Sequence, residues 1–212
     1  MARYFNLPVR RDGIRTRVRL FDGGQLMDEE QVFVGVPAEM WAVWEAPADF
    51  HAEYAECSPE DAARCAAVAR LDAQPADADT AYGEALRPLV HFTPRRGFHN
   101  DPNGLLFDGT QYHMFFQLNP YGLNHGNTHW GWAVSPDMLH WTERELALHP
   151  SEEEGLMFSG SGVVDLHNTS GLQTGEKPPI LLFYTATGMR FSPKMERDAD
   201  GKPIPPAGWT RP

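Results

Sequence analysis

A single carboxylate set among side-chain amides is the feature of this sequence most able to do chemistry. It lies in the run Asn100-Asp101-Pro102-Asn103-Gly104, which comes shortly after His91-Phe92-Thr93-Pro94. A carboxylate can act as a nucleophile, and neighbouring amides can hydrogen-bond the polar groups of a substrate. Each residue type in the run also favours turn geometry, so the run alone leaves a purely structural turn open as the alternative.

The surroundings of this run favour a carbohydrate ligand. Sugar rings have apolar faces that stack on aromatic side chains, and hydroxyls that pair with Asn, Gln, Asp and His. Many of the rings must also be ordinary core, and His125 and His129, four residues apart beside Gly126, do not predict a metal site. The dense aromatic and histidine residues are Phe92, Phe98, Tyr112, Phe115, Phe116, Tyr121, Trp130, Trp132 and Trp141, with His91, His99, His113, His125, His129 and His140.

Composition excludes several classes of function. The 212 residues carry a net charge of −11, which disfavours nucleic acid and anionic membranes as partners, whereas a neutral saccharide fits. No apolar run is long enough to cross a bilayer, and no apolar signal-peptide segment follows the start, so the compartment stays open. A helix from Pro59 onward would separate Cys57 from Cys65, so both are predicted to be free thiols. No cofactor is predicted, and the oligomeric state is left open.

The elements that must position these residues are predicted to be mostly β. Strands are expected at 15–21, 31–36 and 40–44, and a helix begins at Pro59 behind a Ser58 cap and continues to Leu71. The arginines at 15, 17 and 19 share one strand face, either solvated or an anion site. The acidic stretch 72–87 is predicted to be a linker, which makes 1–71 a β-rich N-terminal module with one short helix.

From residue 88 onward the sequence predicts closely spaced short strands. A hairpin is expected from 105–107 and 112–116 around Asp108-Gly109, followed by strands at 130–134, 161–165 and 180–185. Such spacing is typical of a sandwich, a barrel or a propeller. Glu152-Glu153-Glu154 is interpreted as a solvated acidic loop, and the Pro- and Gly-rich tail 191–212 shows no periodicity.

The stretch from His91 to Gly104 resembles the signature of glycoside hydrolase family 32, which contains invertases, inulinases, levanases and other β-fructosidases. The N-terminal residues resemble the small β-sandwich-like module that precedes the propeller in some bacterial levanase-like members. The resemblance implies an all-β chain in which 88–212 is the start of a five-bladed β-propeller. Four further matching blocks follow in order: Phe116-Gln117-Leu118-Asn119-Pro120, Trp130-Gly131-Trp132-Ala133-Val134-Ser135, Asp137-Met138-Leu139-His140-Trp141 and Phe158-Ser159-Gly160-Ser161.

By this resemblance Asp101 is the nucleophile of a retaining reaction on a β-fructosidic bond of levan, inulin or sucrose. Such a reaction needs an ionised carboxylate and, about 5–5.5 Å away, a carboxylic acid. A tight turn at a strand end would present Asp101, and amide hydrogen bonds would keep its pKa low. The substrate-binding residues implied are Asn100, Gln117, Trp130, Phe158 and Ser159.

Three positions depart from the family pattern, and two further motifs are missing. Phe98 and His125 stand where Trp is usual, and Trp132 stands where His is usual; the last two change the expected shape of the pocket. The family's Arg-Asp-Pro and its acid/base Glu-Cys do not follow Asp101, and Glu56-Cys57 is interpreted as coincidence. The chain is therefore expected to be an N-terminal portion with negligible turnover by itself.

Two other functions remain as alternatives. The first is a non-catalytic carbohydrate-binding remnant that keeps Asn100, Gln117 and the aromatic residues. The second is a plain interaction module, which fits the N-terminal strands and leaves the ordered motifs unexplained. The preferred fructan and the choice between exo and endo cleavage are left open.

Overall fold

The computed structural model describes residues 3–151 and 153–188, together with the backbone pairing of 196–197 with 203–204. These residues form antiparallel sheets and one short helix, so the all-β prediction is confirmed. Glu152 and most of the tail 191–212 lie outside the described residues. The strands are β1 (Arg3–Asp22), β2 (Gln25–Val34), β3 (Met40–Ala46), β4 (Phe50–Ala55), β5 (Arg70–Asp72), β6 (Phe98–Phe107), β7 (Tyr112–Asn119), β8 (His129–Ser135), β9 (Thr142–Glu143), β10 (Met157–Val164), β11 (Ile180–Ala186), β12 (Glu196–Arg197) and β13 (Pro203–Ile204), and the helix is α1 (Pro59–Val68).

The N-terminal sheet is organised around the 20-residue strand β1. Val9 and Ile14 both pair with Val34, so residues 10–13 bulge out and the strand changes partners there. The first half of β1 lies between β3 and β5, and the second half lies between β2 and β4. Apolar side chains from both halves meet in one core, which consists of Phe5, Leu7, Val9, Val18, Leu20, Val32, Val34, Ala42, Trp44, Ala46, Cys65 and Tyr121.

Helix α1 begins as the sequence predicts and ends earlier. The Ser58 hydroxyl accepts a hydrogen bond from the backbone N–H of Asp61 at 3.1 Å, which caps the first turn. The predicted continuation to Leu71 is wrong, because the helix ends at Val68 and residues 70–72 form β5. Those residues gain backbone partners beside Tyr4–Asn6 of β1, and this tertiary pairing overrides their local preference for helix.

Two of the three arginines on one face of β1 form ion pairs with nearby carboxylates. Arg17 pairs with Glu56 at 2.7 Å, and Arg19 pairs with the buried Glu29 at 2.7 Å. The sequence left open whether this face is solvated or binds an anion. In the structure, Glu56 and Glu29 of the chain itself contact it. Glu56 belongs to this ion-pair group through its contact with Arg17.

The second sheet has the strand order β6-β7-β8-β9. Propeller blades are four-stranded antiparallel sheets of this kind, and we call β6–β9 the blade. Strand β10 pairs with β11 and packs against β6. Successive side chains of β7 point to opposite faces of the sheet. Phe115 therefore lies in one hydrophobic cluster and Phe116 in another.

The N-terminal sheet packs directly on the blade. Trp44 stacks on Tyr121 with ring centroids 4.3 Å apart and planes 15° from parallel. Asp77, in the segment between the sheets, pairs with Arg96 at 2.6 Å. The limits of the N-terminal module, linker and propeller portion, at 71–72 and 87–88, stay predictions. In the part of the chain described here, no helix has both the length and the apolar character needed to cross a membrane.

Candidate active site

Asp101 lies inside strand β6, at an irregularity of the ladder. The pairing of β6 with β7 shifts between His99 and Pro102, and again between Asn103 and Leu106. The prediction that the Asn-Asp-Pro-Asn-Gly run forms a turn at a strand end is therefore wrong. The first irregularity turns the exposed Asp101 carboxylate out of the ladder. The second contains Gly104, whose φ of +49° suits glycine.

Four of the predicted site residues form a closed ring of hydrogen bonds. The Asn100 side-chain amide donates to Asp101 Oδ1 at 3.2 Å and to Gln117 Oε1 at 2.9 Å. Gln117 Nε2 donates to Ser159 Oγ at 2.8 Å, and Ser159 Oγ donates to Asp101 Oδ2 at 2.5 Å. The ring joins β6, β7 and β10, so three strands determine where the carboxylate points.

This ring also sets the charge of Asp101. The hydrogen bond from Ser159 is the main cause that holds the pKa of Asp101 below its usual range, and the bond from Asn100 acts in the same direction. An electrostatic interaction with His125 acts in the same direction and is the smallest of these effects on the pKa of Asp101, whereas partial desolvation opposes them. An exposed carboxylate held ionised in this way has the charge state that a nucleophile requires.

Phe158 and Trp130 differ in their exposure to solvent. Phe158 is 37% exposed, so part of its ring is open to a ligand. Trp130 is fully buried, and its indole N–H donates to the Phe158 carbonyl at 3.2 Å. The structure thus gives Trp130 a supporting position behind Phe158 and not the open ring face that stacking on a sugar would need.

Contacts on both of its sides fix the position of strand β10 beside Asp101. The backbone N–H of Gly160 donates to Asn103 Oδ1 at 3.2 Å, a contact that the sequence interpretation missed. A Cβ atom at Gly160 would clash with the carbonyl of Phe183 on β11, so this close strand approach requires glycine. Ser159 is therefore positioned by its neighbours on both sides of β10.

Of the two departures expected to change the pocket, the structure places His125 at the site. The His125 ring lies 6.5 Å from the Phe158 ring between centroids, at an angle of 67°. Trp132 instead stacks on His113 and donates its indole N–H to His113 Nδ1 at 3.2 Å. Trp132 pairs with Phe115, two residues along β7 from Gln117, so this departure changes packing inside the blade.

The chain is similar to known proteins over about half of its length. The family model for the glycosyl hydrolases family 32 N-terminal domain matches residues 91–199, which is about half of the chain. The chain belongs to glycosyl hydrolase family 32. A levanase from Bacillus subtilis (strain 168) is 50% identical over 104 residues, which cover 49% of this chain and 15% of the levanase.

Two further relatives carry related names. An invertase from Schizosaccharomyces pombe is 50% identical over 111 residues, covering 49% of this chain and 19% of the invertase. The crystal structure of an exo-inulinase from Aspergillus awamori is 42% identical, with a TM-score of 0.45 and coverage of 48% of this chain and 20% of that one. The matched part of this family 32 chain thus spans between 15% and 20% of the length of these relatives.

Proposed function

We propose that this chain forms the nucleophile side of a β-fructosidase site, in which Asp101 attacks the anomeric carbon of a fructosyl unit in levan, inulin or sucrose. The observation that carries the proposal is the closed hydrogen-bond ring around Asp101, which leaves an ionised carboxylate exposed and aimed. The family membership and the levanase, invertase and exo-inulinase names of the relatives support the same bond as substrate.

In the proposed reaction Asp101 forms a covalent bond to the anomeric carbon as the bond to the leaving oxygen breaks. The leaving oxygen then needs a proton from a carboxylic acid, and water later releases the sugar with its original configuration. The family's acid belongs to a Glu-Cys pair, and both cysteines of this sequence, Cys57 and Cys65, precede Asp101. We therefore propose that these 212 residues by themselves bind the sugar and turn over natural substrates very slowly, because loss of the general acid costs about 10²–10⁴-fold.

The other ring members are proposed to recognise the fructosyl hydroxyls. Asn100 and Ser159 reach the surface beside Asp101, and Gln117 is buried with both ends of its amide already bonded within the ring. A sugar hydroxyl beside Asn100 and Ser159 would meet polar groups that the hydrogen-bond ring already holds in a fixed orientation. Phe158 offers the apolar face, and Trp130 supports it from behind.

The test uses a substrate that needs no acid. Fructosyl fluoride has a leaving group that departs without protonation, so Asp101 alone is expected to form a covalent fructosyl adduct and release one equivalent of fluoride. Mass spectrometry of the digested protein locates the adduct. Asp101→Asn should give neither adduct nor fluoride, whereas Asp108→Asn, which removes another ionised carboxylate of the blade, should behave as the wild type.

The outcomes separate the catalytic proposal from the binding alternative. An adduct on another residue, or equal fluoride release from Asp101→Asn, would show that the nucleophile assignment is wrong. Fructose-dependent NMR shifts around Phe158 without any adduct would favour a carbohydrate-binding remnant. If neither adduct nor sugar-dependent shifts occur, the site has no sugar function in this chain.

A further inference from the structure

The loop that carries His125 is held from outside the blade, by the N-terminal sheet. Asn127 has a φ of +39°, and its side chain faces the edge of strand β2. Its Oδ1 accepts from the backbone N–H of Gln31 at 3.1 Å, and its Nδ2 donates to the backbone carbonyl of Gln31 at 2.7 Å. The amide thus pairs with the edge of β2 as the backbone of an added strand would.

A second amide connects this contact to the position of His125. Asn127 Nδ2 also donates to Asn119 Oδ1 at 3.2 Å, and Asn119 Nδ2 donates to the carbonyl of Asn124 at 2.8 Å. Asn124 directly precedes His125 in the chain. An unbroken set of hydrogen bonds therefore runs from Gln31 through Asn127 and Asn119 to the residue beside His125.

Buried contacts stiffen both ends of the same loop. His129, after the loop, lies 3.5 Å from Glu30 of β2, and both side chains are 1% exposed. Tyr121, near the start of the loop, stacks on Trp44 of β3. The N-terminal sheet thus contacts the loop at its beginning and at its end, and the exposed His125 projects between these contacts toward Phe158.

We propose that Asn127 is a positioning residue of the site, through which the N-terminal sheet holds His125 against Phe158, beside the residues proposed to bind the sugar. The imidazole of His125 is placed there to donate a hydrogen bond to a sugar hydroxyl. The identity of the ligand rests on the proposed function, whereas the effect of the N-terminal sheet on His125 and Asp101 exists without any sugar.

The first measurement therefore uses no ligand. Carboxyl ¹³C NMR follows the ionisation of Asp101 in the 212-residue chain. His125→Gln removes the electrostatic interaction that lowers the pKa of Asp101, so the Asp101 midpoint should rise slightly. Asn127→Gly keeps a backbone that tolerates positive φ and removes the three side-chain hydrogen bonds of Asn127. It should shift the midpoint in the same direction, and combining the two substitutions should add little more.

The matched control is Asn168→Gly. Asn168 also has a positive φ, at +50°, and its side chain accepts a hydrogen bond from the backbone N–H of Gln173 at 3.0 Å, in the loop after β10. This variant should leave the Asp101 midpoint unchanged. If Asn127→Gly does not fold, Asn127→Ser keeps a polar group on the same backbone and is compared in the same way.

Each remaining outcome has a stated meaning. A folded Asn127 variant with the wild-type midpoint, when His125→Gln does shift it, would overturn the positioning role. An unchanged Asp101 midpoint in His125→Gln would show that His125 does not act on Asp101. Fructose titrations then address the ligand, where loss of one hydrogen bond should weaken binding about two- to tenfold in both variants. If the Asp101 midpoints shift as expected, and neither the wild type nor the variants bind fructose, the proposed function fails and the positioning role stands.

Discussion

The stacked pair Trp44 and Tyr121 tests whether the N-terminal sheet and the blade form one cooperative unit. Their ring centroids are 4.3 Å apart, and each residue is only 8% exposed. Trp44 also donates its indole N–H to Asp28 Oδ2 at 2.9 Å, so a single substitution removes more than the stack. A double-mutant cycle with Trp44→Leu and Tyr121→Leu separates the ring contact from these other losses.

The expected magnitudes follow from the burial of the two rings. Each single substitution replaces a large buried side chain by a smaller one and should lower the free energy of unfolding by about 2–4 kcal/mol. Aromatic pairs in this geometry contribute about 0.5–1.5 kcal/mol beyond the area that they bury. The double variant should therefore be less destabilised than the sum of the two single variants by about 1 kcal/mol.

Urea unfolding followed by circular dichroism and by tryptophan fluorescence measures these energies. A matched cycle combines Trp44→Leu with Tyr112→Leu, since the Tyr112 ring packs at a tilt of 40° against the Phe107 ring within the blade hairpin. That cycle should be additive to within about 0.3–0.5 kcal/mol. An equally additive Trp44–Tyr121 cycle, or two separate transitions in the wild type, would refute the packing of the sheet on the blade.

Three further outcomes test local features. Gly160→Ala should disrupt the pairing of β10 with β11 and lower the urea midpoint, whereas Gly175→Ala, where a Cβ has open space, should not. Burial is the main cause that raises the pKa of the Cys65 thiol to about 11, so mass spectrometry should show that iodoacetamide alkylates Cys65 more slowly than Cys57 at pH 8. Burial raises the pKa of Asp108, but hydrogen bonds from the backbone of Gln111, from His113 and from the backbone of Thr110 outweigh it and lower the pKa to about 2. The stability difference between wild type and Asp108→Asn should therefore be present above the unfolded value of 3.8 and shrink as the pH falls toward 2, and a difference independent of pH would contradict this.

The parts of the fold that local patterns control could be predicted from the sequence. Alternation of polar and apolar residues at 15–21 indicated the second half of β1, and Asp108-Gly109 indicated the hairpin of β6 and β7. The two errors have a common cause. Residues 70–72 and the run around Asp101 have local preferences for helix and turn, and strand pairing, with β1 in the first case and with β7 in the second, overrides both.

The site could be predicted only in part. The matching motifs indicated Asn100, Gln117 and Ser159, and the structure brings all three to Asp101. The contact of Asn127 with Gln31 carried no signal in the sequence, because the two residues are 96 positions apart.

The same separation has a consequence for synthesis on the ribosome. Strands β1 to β5 can pair with one another before the blade exists, since every partner of β1 lies within the first 72 residues. At about 5–20 residues per second, Asn127 is made about 5–20 s after Gln31. The edge of β2 at Gln31 and all the partner strands of β1 are therefore synthesised before the loop that carries Asn127. The contact between Gln31 and Asn127 thus joins the part of the chain made first to the loop that completes the site, and it can form only after that loop has been made.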